Sequence, residues 1–174
     1  MNNVVLIGMP GTGKSTVGVV LAKRLGFDFL DADIYMAQRE GRTLPRILEE
    51  DGMERFLELE NEAGKSICCR HTVIATGGSM VFSAEAMEHL REDSVVIWLE
   101  TPIEILEERL TANSREDRGV AAPADMTVRD IYTLREPLYT KYADLRIRCR
   151  SGVDSVVSDI RDALKARYPE GLQD

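Results

Sequence analysis

Four consecutive apolar residues, Val4-Val5-Leu6-Ile7, run straight into Gly8-Met9-Pro10-Gly11-Thr12-Gly13-Lys14-Ser15-Thr16 and then into a helix-forming stretch. A strand that hands glycines at this spacing to the start of a helix forms a loop that holds phosphates. Without a Cβ in the way, backbone N–H groups turn inward around an anion, and the partial positive charge of the helix N-terminus falls on the same spot. Gly11, Thr12, Gly13, Lys14, Ser15 and Thr16 are therefore the candidate contacts to a nucleoside triphosphate. Lys14 supplies a mobile cation for the β- and γ-phosphates, and the Ser15 hydroxyl is a ligand for Mg²⁺. By itself this loop suits kinases, motors and switches equally.

The remaining pattern sets the fold class. Short, wholly apolar runs alternate with longer segments of helical period, as in βα units around a parallel sheet covered on both faces. The pattern predicts strands at 4–7, 27–30, 72–75, 95–99 and 145–149, and helices near 14–25, 33–40, 45–50, 53–68, 83–91, 103–112, 128–142 and 154–167. Ser83, Thr101-Pro102 with Glu104, and Thr127 read as helix starts. The expected architecture is α/β, a three-layer α/β/α sandwich with a five-stranded parallel sheet. At 174 residues, one domain over 1–174 is the default. The net charge of −8 repels polyanions, which argues against nucleic acid as a partner. Cys68, Cys69 and Cys149 have no metal-ligand spacing and read as reduced, small apolar residues. No leader segment and no membrane-length apolar run is evident, so a cytoplasmic location is expected.

The chemistry lies at the ends of the strands. The second strand ends in Leu30-Asp31-Ala32-Asp33, where an open α/β sheet delivers residues to a ligand crevice. One carboxylate there can orient a metal-bound water while the other takes a proton from an attacking hydroxyl, which suits phosphoryl transfer. Asp33 can equally serve as the cap of the helix that follows. Ala75-Thr76-Gly77-Gly78-Ser79 follows the third strand, and its glycines permit close backbone approach to a small ligand or simply make a turn. Arg135 stands two residues before Pro137, which is expected to kink the helix, and is open to a carboxylate or phosphate contact or to a surface ion pair. The polar stretch 111–125, with Arg115 and Arg118, reads as a lid or an ordinary connection.

With these pieces in order, the chain resembles the shikimate kinases, small P-loop kinases of nucleoside-monophosphate-kinase-like fold that phosphorylate the 3-hydroxyl of shikimate with ATP. The resemblance spans nearly the whole length, through GMPGTGKST at 8–16, LDADIYMAQREGRT at 30–43, ILEEDGMERFLELE at 47–60, ATGGS at 75–79, WLETP at 98–102, DRG at 117–119 and LREPLYTKYAD at 134–144. It implies a monomeric ATP:alcohol phosphotransferase of aromatic amino-acid biosynthesis, with ATP and Mg²⁺, an acceptor-binding helical region at 33–62 and a mobile lid at 111–125. It also implies roles residue by residue. Lys14 and Ser15 hold phosphates and Mg²⁺, and Asp31 acts on the metal through water. Asp33 binds the substrate hydroxyl and serves as its base. Gly77 and Gly78 line the shikimate site, Arg135 grips the substrate carboxylate, Arg118 closes over the phosphates, and Arg109 lies near the arginine that stacks on adenine.

Three positions depart from the family pattern. Phe56 is followed by Leu57 where the family has an arginine that binds the substrate carboxylate, the glycine triplet reads Gly77-Gly78-Ser79, and Arg118 precedes Gly119 rather than proline. A charge-assisted hydrogen bond contributes about 1.5 to 3 kcal/mol, so the missing cation weakens shikimate binding by roughly one to two powers of ten. Arg55 does not share the helix face of position 57, whereas Arg46 on the preceding helix is a candidate substitute. Two rival readings follow: a kinase of another small hydroxy acid such as homoserine or gluconate, and a non-catalytic nucleotide-binding regulator. Glu54, Glu58 and Asn61 adjoin Leu57 and suit the ammonium of homoserine. If the pocket otherwise keeps the family's form, Leu57→Arg lowers the KM for shikimate about tenfold or more in a coupled ADP-release assay. No gain, or a loss, means a pocket rebuilt around leucine.

Overall fold

The computed structural model describes residues 2–110, 119–150 and 152–169. Arg115, Arg118 and most of the expected lid lie outside the described residues.

Period-two alternation in the first strand divides the interior into two layers. In β1 (Asn3–Ile7), Val4 and Leu6 face one side, while Val5 and Ile7 face the other. The first side packs on α1 (Lys14–Leu25), through Val17 and Leu21, and on α7 (Val153–Arg167), through Val156 and Ile160. The second packs on α4 (Ala84–Arg91) and α6 (Val128–Tyr142), through Met87, Leu90, Ile131 and Tyr139, and on Leu106 of α5 (Ile103–Arg109). The remaining strands are β2 (Asp28–Asp31), β3 (Thr72–Ala75), β4 (Ser94–Glu100) and β5 (Leu145–Arg148). All pairings are parallel, in the order β2-β3-β1-β4-β5. The α/β/α sandwich and its five parallel strands are thus those expected from the sequence, with strand ends shifted by at most one residue.

Because β1 lies between β3 and β4, with β2 and β3 on one side of it and β4 and β5 on the other, a crevice opens beyond its C-terminal end. The loops after β1, β2 and β3 all emerge there. A third apolar cluster sits beside the crevice, where α2 (Ala32–Glu40) and α3 (Leu44–Ser66) bury Met36, Ile47, Phe56, Leu59 and Ala63 together with Ala121. The two helices expected at 45–50 and 53–68 form one run broken at Gly52, whose φ of 79° and ψ of 172° interrupt α3. Thr127 opens α6 with a capping box closed by Asp130, whereas Ser83 makes no side-chain cap and Pro102, not Thr101, occupies the cap of α5. Pro137 lies inside α6, which continues as helix to Tyr142. Among the described residues, no helix is long and apolar enough to cross a membrane.

Candidate active site

The phosphate loop turns from β1 into α1 through Gly13, which takes a left-handed conformation at φ 94°. Lys14, the first residue of α1, is buried and its Nζ donates to the carbonyls of Gly8 at 2.8 Å and Met9 at 2.9 Å. Those bonds fold the ammonium back over the loop, so it stands inside the cradle with the helix dipole behind it. Thr12 Oγ1 is buried with no hydrogen-bond partner among the described residues. Arg109 ends α5 and donates from Nη1 to the carbonyl of Gly11 at 3.0 Å, which places it over the outer edge of the loop.

Asp31 and Asp33 take different positions although they are two residues apart. Asp31 is the N-cap of α2: its Oδ1 accepts from the backbone N–H of Asp33 at 3.0 Å and of Ile34 at 3.2 Å. Capping therefore belongs to Asp31, not to Asp33 as the sequence allowed. Asp31 Oδ2 accepts from Ser15 Oγ at 2.5 Å, so a carboxylate and a hydroxyl oxygen meet beside the cradle. Such a hard oxygen pair fits Mg²⁺, which takes one or two carboxylates and completes its shell with phosphates and water. Asp33 sits in the first turn of α2 and lines the crevice. Burial lifts its carboxyl from an ordinary 3.8 to about 6, with the charge of Asp31 adding to the shift and Lys14 opposing it.

Gly77 and Gly78 leave no room for a side chain. A Cβ on Gly77 would stand 2.5 Å from Asp33 Oδ1 and 2.8 Å from Glu60 Oε1, and one on Gly78 would stand 2.6 Å from Pro10 Cδ and 2.8 Å from Arg135 Nη1. The pair of glycines thus forms the floor on which two acids, one guanidinium and the phosphate loop converge. Arg135 is 2 % exposed, far from the surface ion pair open to a helical arginine. Its Nη2 donates to the carbonyl of Ala121 at 2.8 Å, its guanidinium lies 5.5 Å from the centre of the Phe82 ring, and no carboxylate pairs with it among the described residues. Tyr139, one helical turn on, donates its hydroxyl to the carbonyl of Gly78 at 2.8 Å and stacks on Trp98.

These residues line one cavity of about 280 Å³, bounded by the phosphate loop, Asp33, Phe56, Gly77, Gly78 and Arg135. Val120 and Ala121 close it from the described end of the expected lid. Leu57 is absent from the lining and packs instead against the apolar cluster of α2 and α3. The proposed substitute for the missing cation fails as well. Arg46 is exposed and donates to Glu50 at 2.6 Å, while Arg55 pairs with Glu58 and Glu62. Glu54 is exposed, Glu58 is held by Arg55, and Asn61 bonds Glu85, so the acidic set suggested for an ammonium does not form a site.

Glu60 is the residue that the sequence reading missed. It is 2 % exposed, and both its oxygens lie within reach of the Ser79 hydroxyl, at 2.8 and 3.0 Å. The signal was available: Phe56, Leu59, Glu60 and Ala63 form one buried stripe at helical spacing, with an acid in a core position. Burial raises its carboxyl from 4.5 to about 8, with Asp33 adding to the shift and Ser79, Arg135 and Lys14 opposing it.

The phosphate loop and the sheet order define the class as P-loop α/β nucleotide-binding proteins. Residues 10–165 match the family model described as shikimate kinase. The chain belongs to the shikimate kinase family. It is 40% identical over 170 residues to the shikimate kinase of Synechococcus sp. (strain RCC307), covering 96% of this chain and 84% of that one. It is 38% identical over 162 residues to that of Nitratidesulfovibrio vulgaris, covering 90% and 92%. The structure of shikimate kinase from Acinetobacter baumannii in complex with shikimate superposes with a TM-score of 0.85 at 29% identity, covering 97% of this chain and 95% of that one.

Glu60 holds its proton more tightly in the folded chain than in the unfolded one, whose value is near 4.5. Its contribution to stability is complete below 4.5 and is lost as pH rises through about 8. Glu60→Gln is therefore expected to melt at a progressively higher temperature than the parent between pH 5 and 9, followed by far-ultraviolet circular dichroism. Parallel pH dependences of the two melting temperatures would show that Glu60 titrates normally.

Proposed function

We infer that this chain transfers the γ-phosphoryl group of ATP to a hydroxyl of shikimate, giving shikimate 3-phosphate and ADP. One observation carries the acceptor assignment: Lys14, Asp33, Gly77, Gly78 and Arg135 line a single cavity with the phosphate loop, so a buried cation, a carboxylate and the phosphate cradle face one space. In this reading Arg135 grips the acceptor carboxylate, supported by its burial without an anionic partner among the described residues. Asp33 receives the acceptor hydroxyl and takes its proton as the new P–O bond forms. A carboxylate with affinity near pH 6 is a better base than an ordinary aspartate and is still ionised at neutral pH. The two glycines let the acceptor lie against the backbone.

Gly11 to Thr16 cradle the triphosphate, with Lys14 moving from its loop carbonyls to the β- and γ-oxygens and Arg109 at the base. Ser15 and Asp31 would hold Mg²⁺, which when bound neutralises charge on the β- and γ-phosphates. Residues 33–62 form the acceptor-binding region, and the family resemblance gives 111–125 the role of lid and Arg118, outside the described residues, a role toward the phosphates. The family resemblance points to a monomer.

A coupled ADP-release assay with shikimate, homoserine and gluconate tests the assignment. Robust turnover with shikimate is expected, and turnover confined to another acceptor would overturn it. Asp33→Asn should lower kcat by about 10²- to 10⁴-fold, the usual contribution of a positioned base, with ADP affinity retained. An unchanged kcat would remove Asp33 from the chemistry.

A further inference from the structure

Glu60 is buried behind the cavity floor, and its oxygens have only one hydrogen-bond donor among the described residues. The Ser79 hydroxyl stands near both oxygens but carries a single proton, so it satisfies one of them at a time. No cation pairs with Glu60 among the described residues. Position 57 lies one turn earlier on the same face of α3 and holds leucine, so nothing there fixes a negative charge on Glu60. The groups that face Glu60 from neighbouring elements are Asp33 on α2, Lys14 on α1, and Arg135 and Tyr139 on α6. On α4, Glu85 is taken up by Asn61 and Lys65. Arg135 is thus flanked by Glu60 and Asp33 across Gly77 and Gly78.

We propose that Glu60 is a specificity-determining residue for the acceptor: in its neutral form it leaves Arg135 to the acceptor's carboxylate, and in its ionised form it repels that carboxylate. This rests on the reading of Arg135 as the carboxylate grip. An ionised Glu60 would put a second anion in the field of one buried guanidinium, in a region where screening by water is weak. Binding of an anionic acceptor then favours the proton on Glu60, so acceptor and proton bind together above the pH at which Glu60 ionises. Burial places that pH near 8. Two departures from the family pattern bear on this carboxyl: Ser79 supplies it a hydroxyl, and position 57, one turn earlier on α3, holds leucine instead of a cation.

The experiment measures the KM for shikimate from pH 7 to 9.5 at saturating ATP and Mg²⁺, for the parent and Glu60→Gln. In the parent, KM should rise above pH 8, approaching tenfold per pH unit, with kcat little changed; in Glu60→Gln it should stay flat. A parent KM independent of pH, or the same rise in both proteins, overturns the proposal while leaving the acceptor assignment standing. Turnover of shikimate at no pH overturns both. Calorimetry on the parent gives a check that needs no variant. Shikimate binding at pH 8.5, in phosphate and in Tris, should take up a fraction of a proton, so the observed heats should differ between the two buffers; equal observed heats, before any correction for buffer ionisation, would contradict the proposal.

Discussion

Two adjacent residues without side chains, Gly77 and Gly78, set the geometry on which the rest of the site depends. Each missing Cβ is replaced by a functional atom from elsewhere: carboxylate oxygens of Asp33 and Glu60 at Gly77, and Pro10 with a guanidinium nitrogen of Arg135 at Gly78. Those groups come from α2, α3, α6 and the phosphate loop, four segments widely separated in sequence. They meet because parallel strands deliver the loops after β1, β2 and β3 to the same edge of the sheet. A floor of bare backbone then lets each of them reach the space that a side chain would fill.

That closeness has an electrostatic consequence. Two acids and one arginine share a small region that is largely shut off from water, and their charges cannot be assigned independently. Asp33 and Glu60 both hold protons more tightly than ordinary carboxyls, chiefly through burial. Lys14 and Arg135 oppose the shift at Glu60. The metal-side pair, Ser15 and Asp31, lies apart from this group, with Asp31 held by the first turn of α2. The division separates phosphate handling from acceptor handling although both rest on the same two strand ends.

Much of this was legible in the sequence. The strands were, because residues such as Val4 to Ile7 are buried on both faces and so read as unbroken apolar runs. The phosphate loop, Asp33 and the two glycines were legible because each sits where a strand of an open sheet ends. The order of the strands and the burial of Arg135 were not, since both depend on long-range packing that leaves no local periodicity. Glu60 was hidden for another reason. An acid in a helix reads as a solvated face until its neighbours Phe56, Leu59 and Ala63 are seen to form a buried stripe. Leu57 misled in the opposite direction: the missing cation drew attention to a side chain that packs against α2, while the carboxyl one turn away faces the floor.

The central claim is that the floor glycines hold the acceptor machinery together independently of the phosphate loop. Gly77 is the position that separates the two, because a Cβ there meets Asp33 and Glu60 and no atom of the loop at close range, whereas one at Gly78 also meets Pro10. Measuring kcat/KM for shikimate and the Kd for ADP in Gly77→Ala tests it most directly. A displacement of the acids by a fraction of an ångström to one ångström should lower kcat/KM by about 10²-fold while ADP binding stays within about twofold. Equal losses in both quantities, or none in either, would contradict the account.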